Sequence, residues 1–125
     1  MKNALFLAVA VALSASIAPA AAQDATKVDA KHYKVEFEND QVRVLRATYG
    51  PKEKSSMHEH PGLVAVFLTD GKVKMTGADG KAKEMQVKAG AAQWNDGTKH
   101  MPENVGDKPF EVILVEMKGK PAAKK

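Results

Sequence analysis

The stretch Ser56-Met57-His58-Glu59-His60-Pro61-Gly62-Leu63-Val64-Ala65-Val66-Phe67-Leu68 decides how the rest of the chain is read. Residues i and i+2 of an extended segment leave the same face, so His58 and His60 aim together while Glu59 aims away. The apolar run 63–68 that follows reads as a strand buried on both faces, or as a barrel strand whose outer side is covered. A third imidazole must then come from another strand. His100 stands in Asp96-Gly97-Thr98-Lys99-His100-Met101-Pro102-Glu103-Asn104, where Gly97 lets the chain turn tightly before the ring is delivered. Neutral imidazoles suit zinc, iron, copper or nickel and suit magnesium or calcium poorly. The pattern is that of a metal site inside a small β-barrel.

Outward from this stretch the body reads as all-β. Apolar and polar residues alternate at Tyr33, Val35 and Phe37 and again at Val42, Val44 and Ala47, with Asn39-Asp40 as the turn, which predicts a hairpin. Thr69-Asp70-Gly71 turns into Lys72-Val73-Lys74-Met75-Thr76, whose inward set is Val73 and Met75. Asp79-Gly80 supplies the positive φ values a hairpin turn demands. Met85 and Val87 mark the next strand, Ala89-Gly90 the next turn, and Ala91 to Trp94 a strand leading to His100. Phe110 to Met117 closes the body after the turn at Gly106-Asp107-Lys108-Pro109. No segment of the body carries a sustained helical period. About eight short strands at roughly ten-residue spacing indicate a sandwich or barrel.

On these residues the chain resembles the cupin family. Gly50, His58, His60 and Gly71 follow the family's first motif, in which a glycine precedes His-x-His and a glutamate and a second glycine follow. The glutamate position falls on Val64, so that ligand is missing. Gly90, Gly97, His100 and Asn104 follow the second motif with a one-residue shortening, and Asp96 lies near the place of its proline. The likeness covers Tyr33 to Met117. It implies a single-domain cupin-type β-barrel, a double-stranded β-helix or jelly roll of the RmlC-like kind, over residues 32–118. It also implies a divalent ion, among iron, zinc, manganese, nickel and copper, held by His58, His60 and His100, with an empty polar pocket as the alternative. Edge-strand pairing is common in the family, which leaves a homodimer open.

The missing glutamate has a chemical consequence. Three neutral imidazoles leave a divalent ion its full charge, so the site favours anionic small-molecule ligands and keeps coordination positions open, as catalytic rather than closed structural sites do. Glu103 can approach only if the chain bends at Pro102, because a residue three along a strand points to the opposite side. Val64, Met75, Trp94 and Asn104 are expected to line the pocket, with Met57, Met101 and Phe67 completing an apolar wall. Strand alternation lets only one of Gln93 and Trp94 point inward. Asn104 is expected to orient its loop through the backbone. His32 reads as structural or surface, and Tyr33 and Tyr49 are left unplaced. No general base is identifiable, so an enzyme and a non-catalytic binding or sensing barrel both stay open.

The N-terminus reads as an export signal. Lys2 gives a positive start, Ala4 to Ile17 an apolar stretch, and Pro19-Ala20-Ala21-Ala22 a small-residue cleavage site after residue 22, which places the mature protein in the periplasm or outside the cell. That stretch is short of the ~20 residues of a membrane span, so no stable membrane anchor is expected. Residues 23–31 form an N-terminal extension and 119–125 a disordered, lysine-rich tail. With no cysteine in the chain, disulfides, redox thiols and thiolate metal sites are excluded. The net charge of +4 is a property of the ends. All 15 acidic residues lie between Asp24 and Glu116, and 14 basic residues remain once Lys2 and Lys118, Lys120, Lys124 and Lys125 are set aside. A body so nearly neutral has no electrostatic footprint for nucleic acid.

Overall fold

The computed structural model describes residues 23 to 119; the expected signal segment, 1–22, and residues 120–125 of the tail lie outside the described residues. A short helix α1 (Ala25–Val28) is followed by nine strands: β1 (Tyr33–Glu38), β2 (Val42–Tyr49), β3 (His58–His60), β4 (Leu63–Phe67), β5 (Gly71–Gly77), β6 (Ala82–Val87), β7 (Ala92–Asn95), β8 (Thr98–Asn104) and β9 (Phe110–Met117). They form two antiparallel sheets, ordered β1-β2-β9-β4-β7 and β3-β8-β5-β6. The apolar set between them includes Leu45, Ala47, Leu63, Ala65, Phe67, Val73, Val87, Phe110, Val112 and Leu114. This is a jelly-roll β-sandwich of the expected class.

Turn chemistry fixes the hairpins. Asn39 Oδ1 accepts from the amides of Gln41 and Val42 at 2.8 and 2.9 Å, which closes the β1–β2 turn. Gly80, at φ 80°, closes the β5–β6 turn in a conformation that a residue with a Cβ adopts only under strain. Gly71 is needed for space rather than for φ: a Cβ there would sit 2.5 Å from the buried ring of Phe110.

Alternation selects different inward residues from those expected in the first hairpin. In β2 the buried side chains are Leu45, Ala47 and Tyr49, whereas Val42 and Val44 leave from the outer face. In β1 only Tyr33 is buried; Val35 and Phe37 are 41% and 54% exposed, and the register shifts between them. Val35 stays opposite inward-facing Leu45 at the sheet edge, and the bulge carries Phe37 to the outer face opposite Val44. Phe37 pairs with Val44, Val44 with Val115, Val115 with Val64, and Val64 with Trp94. These five residues make an apolar row across the outer face of the five-stranded sheet.

Two pocket assignments are corrected by the same parity. Val64 alternates with buried Leu63 and Ala65 and so leaves from the outer face. Trp94 is 55% exposed, lies over Gly62 and donates from Nε1 to Asp96 Oδ1 at 2.9 Å. Its neighbour Gln93 faces the interior instead. Met75 and Asn104 line the cavity, and of the other apolar candidates Phe67 does while Met57 and Met101 do not.

Candidate metal centre

The four-stranded sheet brings the three histidines together by register. His58 and His60 share the inner face of β3, and His58 is the cross-strand partner of His100 on β8. Directly opposed residues of antiparallel strands project to the same face. The ligating nitrogens of all three lie within 4.8 Å of one another, with His58 and His60 buried and His100 half-buried. Glu59, between them, is exposed.

The opposite sheet supplies what holds the rings. Glu116, on the inner face of β9 and 1% exposed, places Oε2 2.5 Å from His60 Nδ1. A carboxylate accepts only, so Nδ1 carries a proton, and in the neutral ring Nε2 keeps the lone pair. That Nε2 is the single buried side-chain polar atom among the described residues with no hydrogen-bond partner. Arg43, the cross-strand partner of Glu116, donates to Oε1 at 2.7 Å and to Asp24 Oδ2 at 2.5 Å. A chain of charges thus runs from Asp24 at the start of α1 through Arg43 and Glu116 to the back of His60.

His58 is oriented in the same sense by different partners. Its Nδ1 lies 2.8 Å from the carbonyl oxygen of Ser56, an obligate acceptor, and 2.8 Å from Ser55 Oγ. The proton is therefore on Nδ1, and Nε2 faces Tyr33 Oη at 3.1 Å. Tyr49 donates to Tyr33 Oη at 2.6 Å. Both phenols are held protonated, their pKa pushed above the usual value chiefly by burial.

Burial disfavours protonation of two of the rings, His58 and His100. The pKa of His58 is pulled down to about 4 and that of His100 to about 3, in each case first by burial and then by the neighbouring imidazoles. Metal ligation needs the neutral ring. An outward lone pair on two rings, one of them orphaned, and suppressed protonation on two make a donor set that fits a borderline transition metal.

No carboxylate joins the three rings. Leu63 and Ala65 are the inward residues of β4 nearest the motif's glutamate position, and Glu103 carries its carboxylate 4.0 Å from Lys74 Nζ on the other face of the sheet. Asn104, 2% exposed, donates from Nδ2 to the carbonyls of Tyr49, Gly50 and Lys108 and accepts from the amide of Gly106, tying together the loops around the mouth. His32 is buried, stacks on Tyr49 with ring centroids 4.4 Å apart, and bridges Asp29 and Glu53. Beside the histidines lies a narrow cavity of about 40 Å³, bordered by Tyr33, His60, Met75, Met85 and His100.

Sequence reasoning missed Glu116, Arg43, Asp24 and the place of Tyr33. A buried acid in the last strand was detectable as the one charged residue at an inward position of 110–117, where Phe110, Val112 and Leu114 set the parity.

The family model of the cupin domain matches residues 45–116, a stretch that contains all three histidines and ends on Glu116. The chain belongs to the cupin family. Among solved structures, this cupin is similar to a cupin domain from Bordetella pertussis Tohama I, with a TM-score of 0.65 and 24% identity over 70% of this chain and 92% of that one. It is also similar to an RmlC-like cupin family protein with a double-stranded β-helix fold from Methanocaldococcus jannaschii, with a TM-score of 0.54 and 18% identity over 72% and 84% of the two chains. An oxalate decarboxylase structure matches with a TM-score of 0.54 and 22% identity, over 70% of this chain and 26% of that one. At these identities the likeness is one of fold. No curated protein matches the chain.

Proposed function

We propose that this cupin is an exported protein whose His58, His60 and His100 hold one divalent transition metal that binds or converts a small anionic molecule. The observation that carries the reading is the bare, buried Nε2 of His60, turned toward the other two rings by the Glu116 carboxylate behind it. A group of this kind is costly to leave without a partner, and a metal ion is the partner that all three rings can share. Bound there, the ion would supply Lewis-acid polarisation of an oxygen ligand. The protein's part is to fix the rings and to disfavour protonation of His58 and His100.

The test is the metal content of the mature protein, residues 23–125, purified without an affinity tag or chelator, beside a His58→Ala/His60→Ala variant. About one transition metal per chain, lost in the variant, is expected from a three-ligand site. No metal in either protein and none taken up on titration would overturn the reading. The family alternative, a metal-free, non-catalytic barrel that binds or senses a small ligand, is favoured by the largely apolar border of the cavity and would then stand.

Export is supported by the residue pattern before Gln23, a positive start, an apolar stretch and a small-residue cleavage site. N-terminal sequencing of the protein recovered from the periplasm tests it. A homodimer is supported by the apolar row Phe37, Val44, Val115, Val64 and Trp94, which a second copy can cover by its own identical row. Light scattering of the protein and of a Phe37→Lys/Trp94→Lys variant distinguishes dimer from monomer.

A further inference from the structure

The phenol of Tyr33 and the ion compete for one lone pair. His58 Nδ1 is committed to the Ser56 carbonyl, so Nε2 is the only acceptor the ring offers, and Tyr33 Oη stands 3.1 Å from it. The oxygen of Tyr33 is already engaged as acceptor by Tyr49 at 2.6 Å, which directs the Tyr33 proton toward His58. When Nε2 ligates, that proton loses its acceptor. Tyr33 is 5% exposed and borders the cavity beside the rings, so the replacement acceptor comes from within that cavity. A buried donor left unmade is disfavoured, and the neighbouring acceptor is whatever fills an open coordination position.

We propose that Tyr33, positioned by Tyr49, is the hydrogen-bond donor to the exogenous oxygen ligand at the three-histidine centre, and selects small oxyanions such as carboxylates. The inference rests on the metal reading above and goes beyond it by assigning the ligand's recognition to a residue outside the histidine set. It gives two effects of opposite sense. Removing the hydroxyl frees His58 Nε2 from its competitor, so metal affinity stays the same or rises. The same change removes the donor to the bound anion, so anion affinity falls. A phenolate that itself ligated the ion would instead make both fall.

The experiment loads the protein and its Tyr33→Phe variant with cobalt(II), measures the metal bound per chain, and titrates each with acetate while following the visible cobalt bands. Equal cobalt uptake with acetate binding weakened about tenfold or more in Tyr33→Phe is the expected result, the size of a lost hydrogen bond to a charged acceptor. Tyr49→Phe should weaken acetate by a smaller factor, since Tyr33 remains but is no longer aimed. Acetate affinities within twofold of one another would overturn the assignment while leaving the metal reading intact. Reduced cobalt affinity in Tyr33→Phe would overturn it in favour of direct ligation. Failure of the unmodified protein to take up cobalt would overturn the metal reading and this inference together.

Discussion

Glu116 Oε2 and His60 Nδ1 are 2.5 Å apart across the two sheets, and both residues are almost fully buried. This contact sets the tautomer of His60, aims its lone pair, and connects the ring to Arg43 and Asp24. A carboxylate behind a ligating histidine typically accounts for ~10- to 100-fold in metal affinity. Glu116→Gln is therefore expected to weaken binding by about that factor with the fold retained, as measured by competition with a chromogenic chelator. An unchanged affinity would mean that the contact is structural only.

Acid should destabilise the metal-free protein through His58 and His100. Their folded-state pKa values, about 4 and about 3, lie below the ordinary histidine value of 6.5. The unfolded chain then takes up protons first as pH falls, so the stability present above pH 6.5 is lost progressively toward pH 4. Linkage gives about 2 kcal/mol per histidine between pH 7 and pH 5. Thermal melts of the chelator-treated protein should show a falling midpoint over that range. A His58→Asn/His100→Asn variant should show a flatter profile.

Much of the fold was legible because turn residues and two-residue alternation are local properties. Asn39, Gly80 and Gly90 fall at turns as read, and Val73, Met75, Met85 and Val87 face the core. The convergence of His58, His60 and His100 was legible from strand parity together with motif spacing. What was not legible depends on pairing between distant strands. Val64 stands in a run that is apolar throughout, and only its pairing with β9 shows which alternate residues of that run face the core. Tyr33 and Glu116 lie far from the histidines in sequence and meet them only when the two sheets close.

Val64→Glu tests that register directly. Its side chain leaves the outer face, opposite Val115 and Trp94, so a carboxylate there should leave metal affinity unchanged within twofold. Tighter metal binding by this variant, read in the same chelator competition, would show that position 64 reaches the site.

Gly71→Ala should destabilise the fold without touching the histidines. The new methyl would meet the Phe110 ring at 2.5 Å, and the ring is held in the core beside Phe67. Overpacking of this kind costs roughly 1–3 kcal/mol, readable as a lower denaturation midpoint in urea with an unchanged slope.

The chain of charges from Asp24 to His60 also bears on when the site comes into being. Its members belong to opposite ends of the chain: Asp24 precedes every strand, and Glu116 sits at the end of the last one, in the middle of its sheet between β2 and β4. A nascent chain that has emerged as far as residue 105 already carries all three histidines, yet it lacks the strand that separates β2 from β4 and the carboxylate that aims His60. Non-local pairings of this sort form late and slowly. The three-histidine centre is thereby completed only with the last strand, and a chain cut short before Phe110 holds the histidines without the carboxylate that aims His60.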